Sequence, residues 1–72
     1  MYSDTLLIVR WTNLHNGDSG YVKSLHRQER YFESTHVIEE AKVFSARGIK
    51  QMLYLLRSYN PENAYSTEPL GY

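Results

Sequence analysis

The architecture follows from residues 45–61, which read SARGIKQMLYLLRSYNP. Apolar side chains recur in this segment at three- and four-residue spacing, which is the period of one helix face. Ser45 is a favourable N-cap, because its hydroxyl can accept a hydrogen bond from a backbone N–H of the first turn. Pro61 ends the helix, since the residue before a proline avoids helical dihedral angles. One amphipathic helix is therefore predicted over residues 46–59. Its apolar stripe consists of Ile49, Met52, Leu53, Leu56 and Tyr59.

A first strand is predicted ahead of the helix over residues 5–12, which are rich in Leu, Ile, Val, Trp and Thr. Alternation places Ile8 and Val9 on opposite faces, and both faces begin apolar. We therefore expect this strand to be central in the sheet, or to have its second face covered by another subunit. One face carries Leu7, Val9 and Trp11. The other face carries Leu6, Ile8 and Arg10.

A hairpin follows the first strand. The pair Asn16-Gly17 tolerates positive φ and predicts its turn. The second strand is predicted over residues 21–27 with strict alternation, so Val22 and Leu25 are expected on opposite faces. Short extended pieces are then predicted at residues 31–33, 42–44 and 63–68, with one helical turn, capped by Thr35, over residues 36–41.

These elements predict one α+β domain spanning residues 1–72. Its expected architecture is a small antiparallel sheet with one amphipathic helix packed on it, in the order ββ(β)αβ. A domain of this length buries only a modest core, so homo-oligomerisation is an expected means of burying more apolar surface.

Composition bounds the function. Eight basic and eight acidic residues give no net charge, so nucleic acid is not an expected partner. The longest apolar run, residues 6–9, is far shorter than a membrane span, so no membrane association is expected. The chain has no cysteine, which excludes disulfides and thiolate metal sites and fits the cytoplasm.

The residue pattern predicts no catalytic, metal or cofactor site. The three histidines, His15, His26 and His36, lack the spacing of metal ligands. Glu39 and Glu40 are adjacent and point in different directions on a helical turn, so they do not form an acid–base pair. We therefore expect a protein that is not an enzyme and binds no cofactor.

Two basic clusters are candidate binding sites. Lys42, Arg47 and Lys50 surround the start of the predicted helix, where free N–H groups favour an anion such as a phosphate. The alternative is that these side chains are solvated and pair with Glu39 or Glu40.

The second cluster lies on the second and third strands. Arg27 and Arg30, with Lys23, lie near Tyr21 and Tyr31, and arginine with an aromatic ring can hold a base or an acidic side chain. The alternative is a solvated sheet face. Trp11 and Tyr54 complete the candidate residues, since aromatic residues and arginine dominate binding hot spots.

The phrase Ile-Glu-Glu-Ala-Lys-Val-Phe at residues 38–44, followed by a helix and a tyrosine-bearing strand, resembles small accessory proteins from the early regions of Gram-positive phages and prophages. The resemblance covers about residues 21 to 68. It implies a protein that disables a host protein, blocks a defence system or sequesters a signalling nucleotide, in the host cytoplasm.

Two functions are therefore expected. The first is a non-enzymatic phage-type accessory protein that binds and neutralises a host factor, such as a host protein. The alternative is a homo-oligomeric binder that sequesters an anionic small molecule, such as a cyclic nucleotide. Candidate binding residues are Trp11, Tyr21, Arg27, Arg30, Lys42, Arg47, Lys50 and Tyr54.

Overall fold

A computed structural model describes residues 5–70 of the chain. Five antiparallel strands form one sheet, and one helix lies between the fourth and fifth strands in the sequence. The predicted class, an α+β sheet with one helix packed on it, is confirmed. The elements are β1 (Leu6–Asn13), β2 (Ser19–His26), β3 (Tyr31–Thr35), β4 (Phe44–Ser45), α1 (Ile49–Tyr59) and β5 (Asn63–Pro69), with 3₁₀ turns at Ile38–Glu40 and Ala46–Gly48.

Strand β1 is the centre of the sheet. It pairs with β5 along one edge, from Leu7 opposite Pro69 to Asn13 opposite Asn63. Its other edge is shared: β2 pairs with its second half and β4 with its first two residues. The central position expected for the first strand is therefore confirmed, and the edge strands are β3, β5 and the two-residue β4.

A β-bulge in β2 explains how two strands share one edge of β1. The register against β3 shifts between Val22 and Ser24. At the same point the backbone N–H of Lys42 donates to the carbonyl oxygen of Val22, at 2.8 Å, as the chain approaches β4. The extra residue also changes the alternation, because Val22 and Leu25 both join the helix-side core. The prediction of strict alternation along the second strand is wrong for this reason.

The helix begins and ends where the sequence predicts. The Ser45 hydroxyl accepts from the Arg47 N–H at 3.2 Å, and helical turns run from there to Tyr59. The first turn is 3₁₀ rather than α. The helix packs its stripe on the face of β1 that carries Val9, and Leu56 is fully buried there. The core residues are Val9, Val22, Phe44, Leu56 and Tyr65.

The opposite face of β1 is covered in part by the chain itself. Ile8 is only 1% exposed within the single chain, whereas Leu6 on the same face is 44% exposed. The two-sided apolar pattern of the first strand is therefore satisfied at Ile8 without another subunit. This removes one reason for expecting an oligomer.

Two turn residues adopt positive φ. Gly17 has φ of 79° in the β1–β2 hairpin, as the Asn-Gly signal predicts. Arg30 has φ of 61° at the end of the β2–β3 turn, a conformation that costs a residue with a Cβ about 1 kcal/mol. Thr35 does not cap a helical turn as predicted. Its hydroxyl accepts from the Val37 N–H and donates to Glu40, just ahead of the 3₁₀ turn.

Gly20 allows Trp11 to lie against the sheet. The two residues are opposite each other in the β1–β2 pairing. A Cβ on Gly20 would lie 3.0 Å from the Trp11 ring and 3.0 Å from the carbonyl oxygen of Thr35. The missing side chain therefore makes room for the indole.

We predict that Gly20→Ala destabilises the fold by about 1–3 kcal/mol, because the added methyl overpacks the contact between Trp11 and the Thr35 carbonyl. Gly48→Ala is the matched control. Nothing lies within 4 Å of a Cβ at Gly48, so this variant should gain about 0.5–1 kcal/mol. Urea unfolding of both variants measures the difference. Equal stabilities would show that Gly20 is not a close-packing position.

Candidate functional site

An open groove lies between the end of α1 and strand β3. Its volume is about 290 Å³. Four aromatic side chains and four neutral polar side chains line it, and none of the charged residues described in the structure does. The lining residues are Trp11, Asn13, Tyr31, Phe32, Ser34, Tyr59, Asn60 and Asn63.

An amide network holds one end of the groove in place. The Asn13 side-chain amide donates to the side-chain oxygen of Asn63 at 3.3 Å. The Asn63 amide donates in turn to the Tyr65 hydroxyl at 3.5 Å, and that hydroxyl donates to the carbonyl oxygen of Asn60 at 3.0 Å. Burial raises the pKa of the Tyr65 hydroxyl, and the hydrogen bond from Asn63 opposes that shift. The network joins the end of β1, the start of β5 and the C-terminus of α1.

Trp11 lines the groove, but its indole N–H lies beneath the groove surface. Its indole Nε1 is buried and has no hydrogen-bond partner among the described residues. A buried donor without a partner costs about 1–3 kcal/mol. The nearest aromatic neighbour is His36, whose ring centroid lies 6.4 Å away in a tilted arrangement. Trp11 therefore offers the groove an aromatic ring and not an accessible hydrogen-bond donor.

Tyr31 forms part of the groove wall and is held from behind by His26. The two rings stack with centroids 4.6 Å apart and an interplanar angle of 10°. His26 Nε2 lies 3.1 Å from the Ser24 hydroxyl and 3.3 Å from a carboxylate oxygen of Glu33. The Ser24 hydroxyl also donates to that oxygen at 2.5 Å. The cluster of Ser24, His26 and Glu33 therefore fixes the ring against which Tyr31 packs.

This cluster contains serine, histidine and a carboxylate but does not form a nucleophilic relay. In such a relay the hydroxyl and the carboxylate contact different ring nitrogens of the histidine. Here the hydroxyl and the carboxylate both approach Nε2, and Ser24 donates directly to Glu33. The hydrogen bond from Ser24 and the one from His26 lower the pKa of Glu33.

We predict that Ser24→Ala raises the pKa of Glu33, because the serine hydroxyl is the largest cause of its depression. A carboxyl with a lowered folded-state pKa stabilises the fold above its unfolded pKa. That stabilisation is lost as the pH falls through the folded pKa, so the variant should lose less stability in acid. NMR titration of the Glu33 side-chain carboxyl measures the shift. Ser34→Ala is the control, and an identical Glu33 titration in both variants would contradict the assignment.

The structure separates the predicted binding residues. Trp11 lines the groove, whereas Tyr21 lies on the opposite face of the sheet, where its hydroxyl donates to Glu68 at 3.5 Å. Arg27 and Arg30 are exposed in the turn next to Tyr31. The Arg27 guanidinium reaches the sulfur of Met52 on α1, at 3.6 Å. The predicted cluster of arginines and tyrosines is therefore not formed as one site. Of its two tyrosines, Tyr31 lines the groove and Tyr21 does not.

The basic cluster at the helix start and Tyr54 lie apart from the groove. Lys42 is exposed, and its Nζ lies 5.7 Å from the centre of the Phe44 ring. Arg47 and Lys50 are exposed, and none of the three basic residues lines the groove. Lys42 does not pair with Glu40 as the alternative expected; Lys23 lies 4.0 Å from Glu40 instead. Tyr54 is 70% exposed on α1.

Most groove residues were not predicted. The sequence pattern assigns Tyr59 to the core stripe, Asn13 to a turn, Asn60 to the end of the helix and Asn63 to the start of the last strand. Their convergence depends on the pairing of β1 with β5, which joins Asn13 to Asn63 across 50 residues of sequence. The available signal was the presence of asparagine at the end of the first strand, after the helix and at the start of the last strand.

Comparison with protein-family models, curated proteins and solved structures finds no match to this chain. No helix within residues 5–70 is long and apolar enough to cross a membrane. In the same residues no group of three His, Cys, Asp or Glu side chains is arranged to hold a metal ion. The assignment of the groove as the candidate site therefore rests on its geometry alone.

Proposed function

We propose that this chain is a non-enzymatic binding protein of the phage accessory type, which neutralises a host factor by capturing it. The groove between α1 and β3 is the capture site. It takes a flat, uncharged ring that carries hydrogen-bonding groups at its edge.

The composition of the groove wall carries this proposal. Aromatic side chains stack on planar rings, and asparagine amides offer both donors and acceptors to a ring edge. A charged group would lose hydration here without meeting an opposite charge, because the described lining residues are all neutral.

The size of the groove limits the captured group. Its volume of about 290 Å³ lies at the lower end of the range for small-molecule sites, roughly 300–1,000 Å³. One ring system fits such a volume better than an extended ligand does. A nucleobase and an aromatic side chain of a host protein share this chemistry.

The turn arginines favour a nucleotide as the second candidate ligand. Arg30 immediately precedes Tyr31, and Arg27 extends from the same turn to Met52 on α1. A base stacked in the groove beside Tyr31 would place its phosphate toward this turn, where guanidinium groups bind phosphate well. The anion of the alternative function is thus assigned to Arg27 and Arg30 rather than to Lys42, Arg47 and Lys50.

Trp11 is the single tryptophan of the chain and lines the groove, so its fluorescence reports binding directly. We predict that nucleosides quench this fluorescence. Ser34→Arg should weaken the quenching at least tenfold, because Ser34 is an exposed lining residue and a long side chain there obstructs the groove.

Ser58→Arg is the matched control, since Ser58 is exposed on α1 and does not line the groove. Its quenching should equal that of the unaltered chain. If no ring compound quenches the fluorescence, or if Ser34→Arg binds as well as Ser58→Arg does, the groove is not a ligand site.

The nucleotide candidate predicts tighter binding of a nucleoside monophosphate than of its nucleoside. Arg30→Asn should reduce that margin while leaving nucleoside binding unchanged, because asparagine tolerates the positive φ but carries no charge. Calorimetric titration measures both affinities. An equal margin in Arg30→Asn would exclude Arg30 as a phosphate ligand.

A protein host factor is tested by pull-down from a lysate of a Gram-positive host. The chain and its Ser58→Arg variant should retain a partner that Ser34→Arg does not. Retention by all three would place protein binding outside the groove.

A further inference from the structure

We propose that strand β5 is a dimerisation edge at which two copies of this chain pair as antiparallel strands. The two five-stranded sheets then join into one sheet of ten strands. This inference does not depend on the ligand proposed for the groove.

The outer edge of β5 is long, regular and open. Among residues 5–70, β5 pairs only with β1, in an uninterrupted register over its seven residues. The N–H and C=O groups that point away from β1 therefore have no strand partner. An edge of this kind is a template for another strand.

Most of this edge lacks the devices that usually prevent such pairing, although Pro69 at its end has no N–H to donate. Natural edge strands are blocked by lysine, by proline, by a bulge or by short length. Residues 63–68 of β5 contain no lysine and no proline, and Ala64, Ser66 and Thr67 are small and exposed. The opposite outer strand, β3, is shorter, carries Glu33 and lies beside the bulge in β2. Strand β5 is therefore the edge left open.

The strand is complementary to itself in one register. In an antiparallel pair of identical strands, a residue lies opposite one on the same face, so the twofold axis passes through a residue. The register centred on the strand places this axis at Ser66, so that Pro69, which has no N–H, lies opposite Asn63 of the second copy. Ala64 then lies opposite Glu68 of the second copy, and Tyr65 lies opposite Thr67. The one charged residue of β5 therefore meets a small neutral side chain and not its own copy.

The dimer places both grooves on one surface. A twofold axis perpendicular to the sheet keeps both helices on the same side. Asn63 lines the groove and lies three residues from Ser66, so the two Asn63 residues are separated along the strands by about 20 Å. Two sites on one surface can bind a bivalent partner with gained avidity.

Pairing through one strand is a small interface, so we expect a weak, reversible dimer. Sedimentation velocity of the full chain up to about 1 mM measures the monomer–dimer equilibrium. A concentration-dependent dimer is expected. Hydrogen exchange at high concentration should then show new protection in residues 63–68 and none in residues 31–35.

Two substitutions test the register. Ser66→Glu places two carboxylates opposite each other across the axis and should weaken the dimer about fivefold or more. The new glutamate is compatible with the monomer, because Ser66 pairs with Arg10 of β1. Ala64→Lys places a lysine opposite Glu68 of the second copy at two symmetric positions, so the dimer should be as tight as that of the unaltered chain or tighter.

Circular dichroism melts confirm that both variants fold. A chain that stays monomeric at 1 mM, protection that appears in residues 31–35 instead, or a Ser66→Glu dimer as tight as that of Ala64→Lys would each overturn the proposal.

Discussion

The fold depends on the backbone pairing of β1 along both of its edges. Every other strand reaches β1 directly or through one neighbour, and α1 packs on the face that carries Val9. Because β2 leaves β1 at the bulge beyond Val22, β4 can complete the same edge with only two residues. The bulge also brings Val22 and Leu25 to the same side. The bulge in β2 thus leaves room for β4 on the edge of β1 and gives a continuous core under the helix.

The groove is a by-product of the way that the helix ends. Asn60 stops α1 and receives the Tyr65 hydroxyl at its carbonyl oxygen, which ties the helix end to β5. Strands β3 and β5 lie at opposite edges of the sheet. The space between β3 and the end of α1 is therefore not filled by another element. The polar cluster behind Tyr31 and the amide network at Asn63 support this space from two directions. Tyr31 belongs to the groove wall, whereas Tyr65 lies outside the wall and ties the end of the helix to β5.

Local patterns predicted the fold well and the groove poorly, for a physical reason. Helix period, the Ser45 cap and the proline after Asn60 are local signals, and they located α1 to within its first turn. The Asn-Gly turn was likewise local. The bulge in β2 was missed, because it depends on competition between β2 and β4 for the same edge of β1. The groove combines residues from β1, β3, α1 and β5, and no local pattern shows that these converge. Among the candidate binding residues and their neighbouring tyrosines, only Trp11 and Tyr31 line the groove.

The pairing between β1 and β5 also affects how the chain folds. Leu7 meets Pro69, so the central strand is completed only by a segment 62 residues further along the chain. Contacts of such long sequence separation slow folding, because the intervening loop must close before the pairing stabilises it. During synthesis on the ribosome, one edge of β1 stays without a partner until β5 has emerged. The nascent protein is therefore exposed to mispairing in that interval, and a chaperone or a neighbouring chain can reach the strand before its own partner does.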